Sequence, residues 1–225
     1  REMLSRLATP ALDALLACCE EAGRDDGDEW ALDAPHERAL ARAFGWRADA
    51  PLPWAARQAH ADGIDVGQAP WGLLTPVHWR VGSDAIHLAD PRALALDETA
   101  SRALFEAVRP LFESEGYALA WGAPLRWYAS HAEMASLRCA SLDRVVGRNV
   151  DRWLPAQPEA RRVRRLQSEA QMLLHTHPIN TAREAAGALP VNSFWLSGCG
   201  ALQVEVGPEP VQVDDRLVAA AQAED

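Results

Sequence analysis

The chain contains no lysine, so all 22 of its basic residues are arginine. That absence removes whole chemistries, because Schiff-base enzymes, Walker-type phosphate loops and protein kinases each need a lysine amine at a set place. What remain are planar, permanently charged guanidinium groups, which suit bidentate recognition of carboxylate or phosphate and make an anionic ligand conceivable. Cysteine is scarce as well. Cys18, Cys19, Cys139 and Cys199 follow neither a disulfide framework nor a paired zinc spacing, and they read as reduced thiols. No apolar run reaches about eighteen residues and no leader-like segment is present, so nothing points to a membrane and the cytoplasm is the default location. No G-x-S-x-G or other nucleophile motif occurs, which argues against a serine hydrolase. The chain opens at Arg1 without a methionine, from which a missing native N-terminal segment is expected.

What is present is an ordinary globular balance, 48% hydrophobic and 24% charged residues over 225 positions. This suits one domain with a real core, with or without an irregular N-terminal arm. A formal net charge of −10 argues against nucleic acid as the main ligand, since phosphate-backbone affinity rests on a basic surface.

Thr9 to Cys19, with Pro10 at the start and leucines at 12, 15 and 16, predicts a helix. Pro35 to Phe44, closed by Gly45, predicts a second. Residues 1–66 are therefore expected to form a helical N-terminal region. From Trp71 the texture changes, and Trp71 to Val81 with Ala85 to Ala89 reads as a hairpin about a Gly-Ser-Asp turn. Ala100, Leu104, Ala107, Val108 and Leu111 have helical spacing within Glu98 to Phe112, and Gly116 stops that helix before a strand over Tyr117 to Tyr128. A long helix over Ala160 to Leu174 precedes a strand at Val191 to Leu196, and Arg216 to Ala223 could form one short helix in a C-terminal tail, 202–225. The fold class expected is α/β of the α+β kind, an open and mostly antiparallel sheet covered on one face by helices.

The most specific stretch runs His177-Pro178-Ile179-Asn180, Arg183, Gly187, Pro190-Val191-Asn192, then Trp195 to Gly198 and Gly200. It resembles archaeal-type cofactor-independent phosphoglycerate mutases, in which a Pro-hydrophobic-Asn turn ends a helix and precedes Arg, Gly, Pro-Ala-Asn and Gly-x-Gly. Upstream, residues 141–155 resemble that family's Pro-His-Asp-hydrophobic-x-Gly-Lys segment. Asp143 and Gly147 match, while Leu142 stands in place of the histidine. Arg126, in Pro124-Leu125-Arg126-Trp127-Tyr128, is similar to the family's strand arginine in the substrate domain. The strings SLDRVVGR, RLQSEAQMLLHTHP and VNSFWLSG further resemble a bacterial family labelled phosphoglycerate mutase or RpfE-type regulatory protein.

The resemblance implies a mutase-like substrate domain over residues 67–201. Thr9 to Asp13 vaguely resembles a Thr-Pro-x-Leu-Asp helix, which would make 1–66 a remnant of an alkaline-phosphatase-like domain. It implies ligand contacts from Arg126, Asp143, Asn180, Arg183 and Asn192. The residues themselves leave another reading open, in which Asn180 and Asn192 cap turns, the glycines take positive φ and Arg183 makes a structural pair. Mutase chemistry needs a phosphorylatable serine and two metal ions, and the family's ligands for those ions are not visible here. No catalytic residue, metal ligand or cofactor is therefore assigned. His175 and His177, with His78 or His131, could offer zinc nitrogens, but a helix end and a turn also account for them. The arginine run Arg161, Arg162, Arg164 and Arg165 reads first as a solvated helix face.

The expected role is non-catalytic binding or regulation, with a phosphorylated small molecule or a protein as partner. An active mutase or related phosphotransferase, and an interaction module without a small ligand, are the alternatives. The oligomeric state is not legible.

Overall fold

A computed structural model describes residues 9–206 apart from 21–23, 26, 48 and 83. The predicted helix at Arg216 to Ala223 lies outside the described residues. The chain divides into two units, residues 1–26 with 207–225, and residues 27–206. In the first, helix α1 (Pro10–Ala17) begins with proline at its opening position, where a missing N–H costs nothing.

In the second unit, four antiparallel strands form one sheet in the order β4-β5-β1-β6, from β1 (Pro70–Val77), β4 (Ala118–Ala123), β5 (Arg126–Ser130) and β6 (Ser193–Ala201). The α+β class expected from the sequence is thus the class observed. Strand periodicity separates the faces. Leu74, Trp127, Ala129 and Leu196 enter one core, while Trp71, Leu73 and Tyr128 enter another on the opposite side.

The first face is covered by α4 (Glu98–Glu113) and α6 (Arg161–His175). Leu104, Phe105, Val108 and Phe112 of α4 meet Val163, Leu166, Ala170 and Leu174 of α6 in that core. Asp97 caps α4 by accepting from the Ala100 N–H at 2.8 Å. Asp97→Ala should cost about 1 kcal/mol in urea unfolding, and Asp97→Asn much less, because asparagine keeps the accepting oxygen.

The opposite face carries α3 (Trp54–Ala61), which the sequence reading did not separate from the rest of the N-terminal region. Ala55, Ala56 and Ala59 are fully buried against the sheet, and only such small side chains let a helix lie this close. Beneath the start of α3, Gly198 has φ +62°, and a Cβ there would sit 2.9 Å from the Ala55 nitrogen. The predicted strand at Val191 to Leu196 therefore continues through Gly198 and Gly200, and the irregular register opposite Trp71 and Leu73 accommodates them.

Helices thus cover both faces of the sheet, where the sequence led us to expect one, because the small side chains of α3 let it pack on the second face. Two further expectations need correction. Tyr117 to Tyr128 is not one strand but the hairpin β4–β5, reversing at Pro124 and Leu125. Proline has no N–H to give a ladder, and the Pro124 carbonyl instead accepts from Ser101 Oγ at 2.8 Å. That hydroxyl also accepts from the indoles of Trp121 and Trp127, at 3.1 and 3.0 Å, which pins both arms of the hairpin to α4. Second, Trp71 to Val81 does not pair as a whole with Ala85 to Ala89. Only β2 (Trp79–Val81) and β3 (Ile86–Leu88) form that hairpin, and β1 joins the main sheet.

Around this frame lie α2 (Pro35–Ala43), α5 (Leu142–Val145) and α7 (Pro178–Ala185). Gly45, with φ +70°, ends α2 where it was expected to end. Among the described residues no helix is long and apolar enough to cross a membrane.

Candidate functional site

The guanidinium of Arg126 is met by a carboxylate of the chain itself. Its Nε and Nη2 donate to the two oxygens of Asp62, just past α3, at 2.8 and 2.9 Å. Tyr128, two residues along β5, donates its hydroxyl to the same carboxylate at 2.6 Å. Arg126 first, then the tyrosine hydroxyl, holds the Asp62 carboxyl below its usual range against the cost of burial. Gly122 makes room for this cluster, since a Cβ there would collide with Asp62 and Tyr128. The sequence reading missed Asp62, which carries no local signal of its role.

Asn180, 2% exposed in the first turn of α7, donates to the carbonyls of Leu174 and Val191 at 2.9 and 2.7 Å and accepts from the Val191 N–H at 2.9 Å. Arg183 donates through Nε to the Leu189 carbonyl at 3.0 Å and through Nη2 to that of Leu94. Asn192 accepts from the Trp79 N–H at 2.7 Å and donates to the Trp79 carbonyl at 2.9 Å, acting as a one-residue strand on β2. These three residues gather about the loop between α7 and β6. Arg126 lies with α3, and no hydrogen bond of the described residues joins it to them. Asp143 is apart again, exposed and 3.6 Å from His36.

The imidazoles are also dispersed. His78 Nδ1 lies 2.9 Å from the Pro190 carbonyl, His131 stacks on Tyr117 with centroids 4.4 Å apart, and His177 caps α7 through the Ile179 N–H. Among the described residues, no three His, Cys, Asp or Glu side chains assemble in a metal-binding group. The arginine run is neutralised in part by neighbours. Arg165 pairs with Glu115 at 2.5 Å, and Arg162 lies 3.5 to 3.7 Å from Glu133 and Glu115.

Polar groups less completely spent lie elsewhere, around the start of α2. The segment before that helix is stitched to α5: the Ser141 N–H donates to the Leu32 carbonyl at 2.9 Å, and Arg144 Nε to that of Ala31 at 3.0 Å. Asp33 and Glu37 are thereby brought against Ser141, Cys139 and Gly198. Three recesses of about 150, 110 and 160 Å³ share Asp33 as a wall. Burial raises the Asp33 carboxyl above its usual range, against the opposing charges of Arg38 and Arg138. Burial likewise raises Glu37, although the Ala34 N–H, 2.6 Å away, and the Ser141 hydroxyl oppose it. The floor includes Cys139 and Cys199, whose sulfurs are 3.9 Å apart, and the Cys199 thiol is pushed up by that neighbour and by complete burial.

No protein-family model and no curated protein matches this chain. Solved structures do resemble it. A cofactor-independent phosphoglycerate mutase from Thermoplasma acidophilum DSM 1728 aligns at 17% identity and TM-score 0.48, over 76% of this chain and 48% of that one. The PH0037 protein from Pyrococcus horikoshii aligns at 15% identity and TM-score 0.40, over 75% of this chain and 38% of that one. The chain thus spans about half, or less, of the length of the proteins it resembles.

Four residues of the cleft were named from sequence: Asp143 as an expected ligand contact, Gly198 in the mutase-like Gly-x-Gly, Leu142 in place of that family's histidine, and Cys139 as a reduced thiol. Asp33, Glu37 and Ser141 were not singled out as site residues. The one signal that could have found them is the acidic pair four residues apart astride Pro35, which places both carboxylates at a helix start.

Proposed function

We propose that this chain is a non-catalytic binding or regulatory protein on a mutase-like scaffold, the role that the RpfE-type resemblance also implies. One observation supports the reading: four of the five motif residues expected to meet a ligand, all but the exposed Asp143, are engaged by the protein. Arg126 is engaged by Asp62, Asn180 by Leu174 and Val191, Arg183 by two backbone carbonyls, and Asn192 by Trp79. A guanidinium meant for a phosphate or carboxylate keeps its fork open, because the same two N–H vectors cannot serve both a fixed carboxylate and a ligand. The ligand site is then the cleft about Asp33, where polar groups retain capacity.

The test is a coupled assay for interconversion of 2- and 3-phosphoglycerate with manganese supplied. No turnover above a heat-denatured control is expected. Turnover that co-purifies with the chain through successive columns and is reduced by Arg126→Ala, assayed at a temperature where circular dichroism shows the variant still folded, would overturn the proposal.

A further inference from the structure

We infer that Cys139, Cys199 and Met134 form a binding site for a soft monovalent metal ion, Cu(I), held by three sulfurs. The inference goes beyond the binding reading above and does not depend on it, so mutase turnover would leave it standing. Cys199 Sγ lies 3.6 Å from Met134 Sδ and 3.9 Å from Cys139 Sγ, and among the described residues its thiol has no other hydrogen-bond partner. A metal–sulfur bond of about 2.3 Å in a trigonal set spaces the sulfurs about 4 Å apart. Both contacts are close to that spacing, so small movements admit the ion.

Buried cysteine and methionine are by themselves ordinary core fillers. Here the backbone departs from regularity to bring them together. Phe194 and Leu196 of β6 face the core under α4 and α6, while Trp195 between them enters another cluster. Continued alternation would turn Cys199 away with Trp195. Instead, β6 carries one residue more than β1 between the pairs Leu73–Ser197 and Trp71–Gly200, with Gly198 and Gly200 at φ +62° and +146° on either side of Cys199. That bulge turns the thiol into the core of Leu196. Opposite it, Gly72 leaves the space: a Cβ there would sit 2.9 Å from Met134 Sδ and 3.2 Å from Cys199 Sγ, as well as 2.6 Å from Leu196 Cδ1. Met134, fully buried, comes from the one-turn helix Ala132–Ala135, which packs against β1 and β6.

A recess of about 150 Å³ reaches the pair, since Cys139 and Cys199 both line it with Leu52 and Leu137. Cys139, 8% exposed, is the point of entry. The donor set selects the ion. Thiolate with thioether suits Cu(I), whereas zinc takes its ligands from thiolate, imidazole and carboxylate, and no such group of three assembles among the described residues. A disulfide between the cysteines would leave the Met134 contact without a use. On binding, two thiol protons leave to solvent and two copper–thiolate bonds form, with no change of oxidation state. The neighbouring Cys139 and complete burial push the Cys199 thiol up, a penalty on the free thiolate that a cation in the proton's place removes.

The test uses the full chain carrying Cys18→Ser and Cys19→Ser, because those adjacent exposed thiols would compete for copper. The reduced protein is given Cu(I) without oxygen, against bathocuproine disulfonate as competing chelator. One copper per chain should be retained, and its K-edge absorption should show a shell of three sulfurs. Zinc should wash out on desalting. Cys139→Ala and Cys199→Ala should each abolish copper retention. Met134→Leu, which keeps the volume of the core, should weaken retention about tenfold and reduce the shell to two sulfurs. Circular dichroism shows which variants remain folded, and the sulfur shell of the chain that retains all three residues needs no further variant.

No copper retained with all three residues in place overturns the site, as does retention undiminished by loss of either cysteine. A nitrogen or oxygen shell, or a sulfur shell unchanged by Met134→Leu, overturns the three-sulfur assignment. A Cys139–Cys199 disulfide formed on mild oxidation, in a chain that retains no copper when reduced, would overturn the metal and show a redox pair in its place.

Discussion

Asn180→Ala is expected to lower the unfolding free energy by about 3 kcal/mol or more, the largest effect of any residue in the mutase-like motifs. Its side chain closes three hydrogen bonds that no solvent can replace at 2% exposure. Truncation strands the Leu174 and Val191 carbonyls and the Val191 N–H, and each buried group left without a partner costs about 1–3 kcal/mol. Asn180→Asp keeps the oxygen that accepts from Val191 but loses both donated bonds, so it should recover only part of the loss. Urea denaturation followed by circular dichroism measures both. A variant as stable as the parent would show that the amide does not hold α7 to the entry of β6.

Removing Asp62 should have the second largest effect. Asp62→Ala leaves the Arg126 guanidinium and the Tyr128 hydroxyl without their shared acceptor and should cost about 2 kcal/mol. That is less than the roughly 3–5 kcal/mol for breaking a fully buried pair, because the Arg126 side chain keeps 41% of its exposure while Asp62 keeps 10%. Asp62→Ala, Arg126→Ala and the double variant form a cycle in which the two losses should not add. Additive losses would show that the two residues act independently.

The same cluster sets a pH dependence. The folded Asp62 carboxyl titrates below its unfolded value near 3.8, chiefly because Arg126 bonds to the ionised form. Its stabilisation is complete above that value and is lost as pH falls through the folded one. Asp33 and Glu37 have the opposite sign, raised by burial, so acidification through their range relieves a cost of folding. In Asp62→Ala the loss of stability below about pH 4 should therefore be shallower than in the parent.

Much of the fold was legible because it is local. The apolar spacing of Glu98 to Phe112 and the stop at Gly116 reproduce α4, and Pro35 with Gly45 bounds α2. The Tyr117 to Tyr128 strand was misread because alternation of side chains continues through a tight reversal, and only the pairing of Trp121 with Trp127 shows that the chain has turned back. The Asn180 motif was also visible, but not its use. The same asparagine can cap a turn, bind a ligand or tie two backbones, and the choice depends on whether a carbonyl eleven residues later is within reach.

Sequence by itself therefore determined the fold class, the main helices and the chemistries closed to a chain without lysine, since periodicity and residue type act within a few residues. Tertiary structure alone decided that Arg126 meets Asp62, 64 positions earlier, and that Asp33 and Glu37 share a cavity with Ser141. Those outcomes depend on which surfaces the packed elements bring together. A charge or hydroxyl has no partner until desolvation at such a meeting forces it to find one.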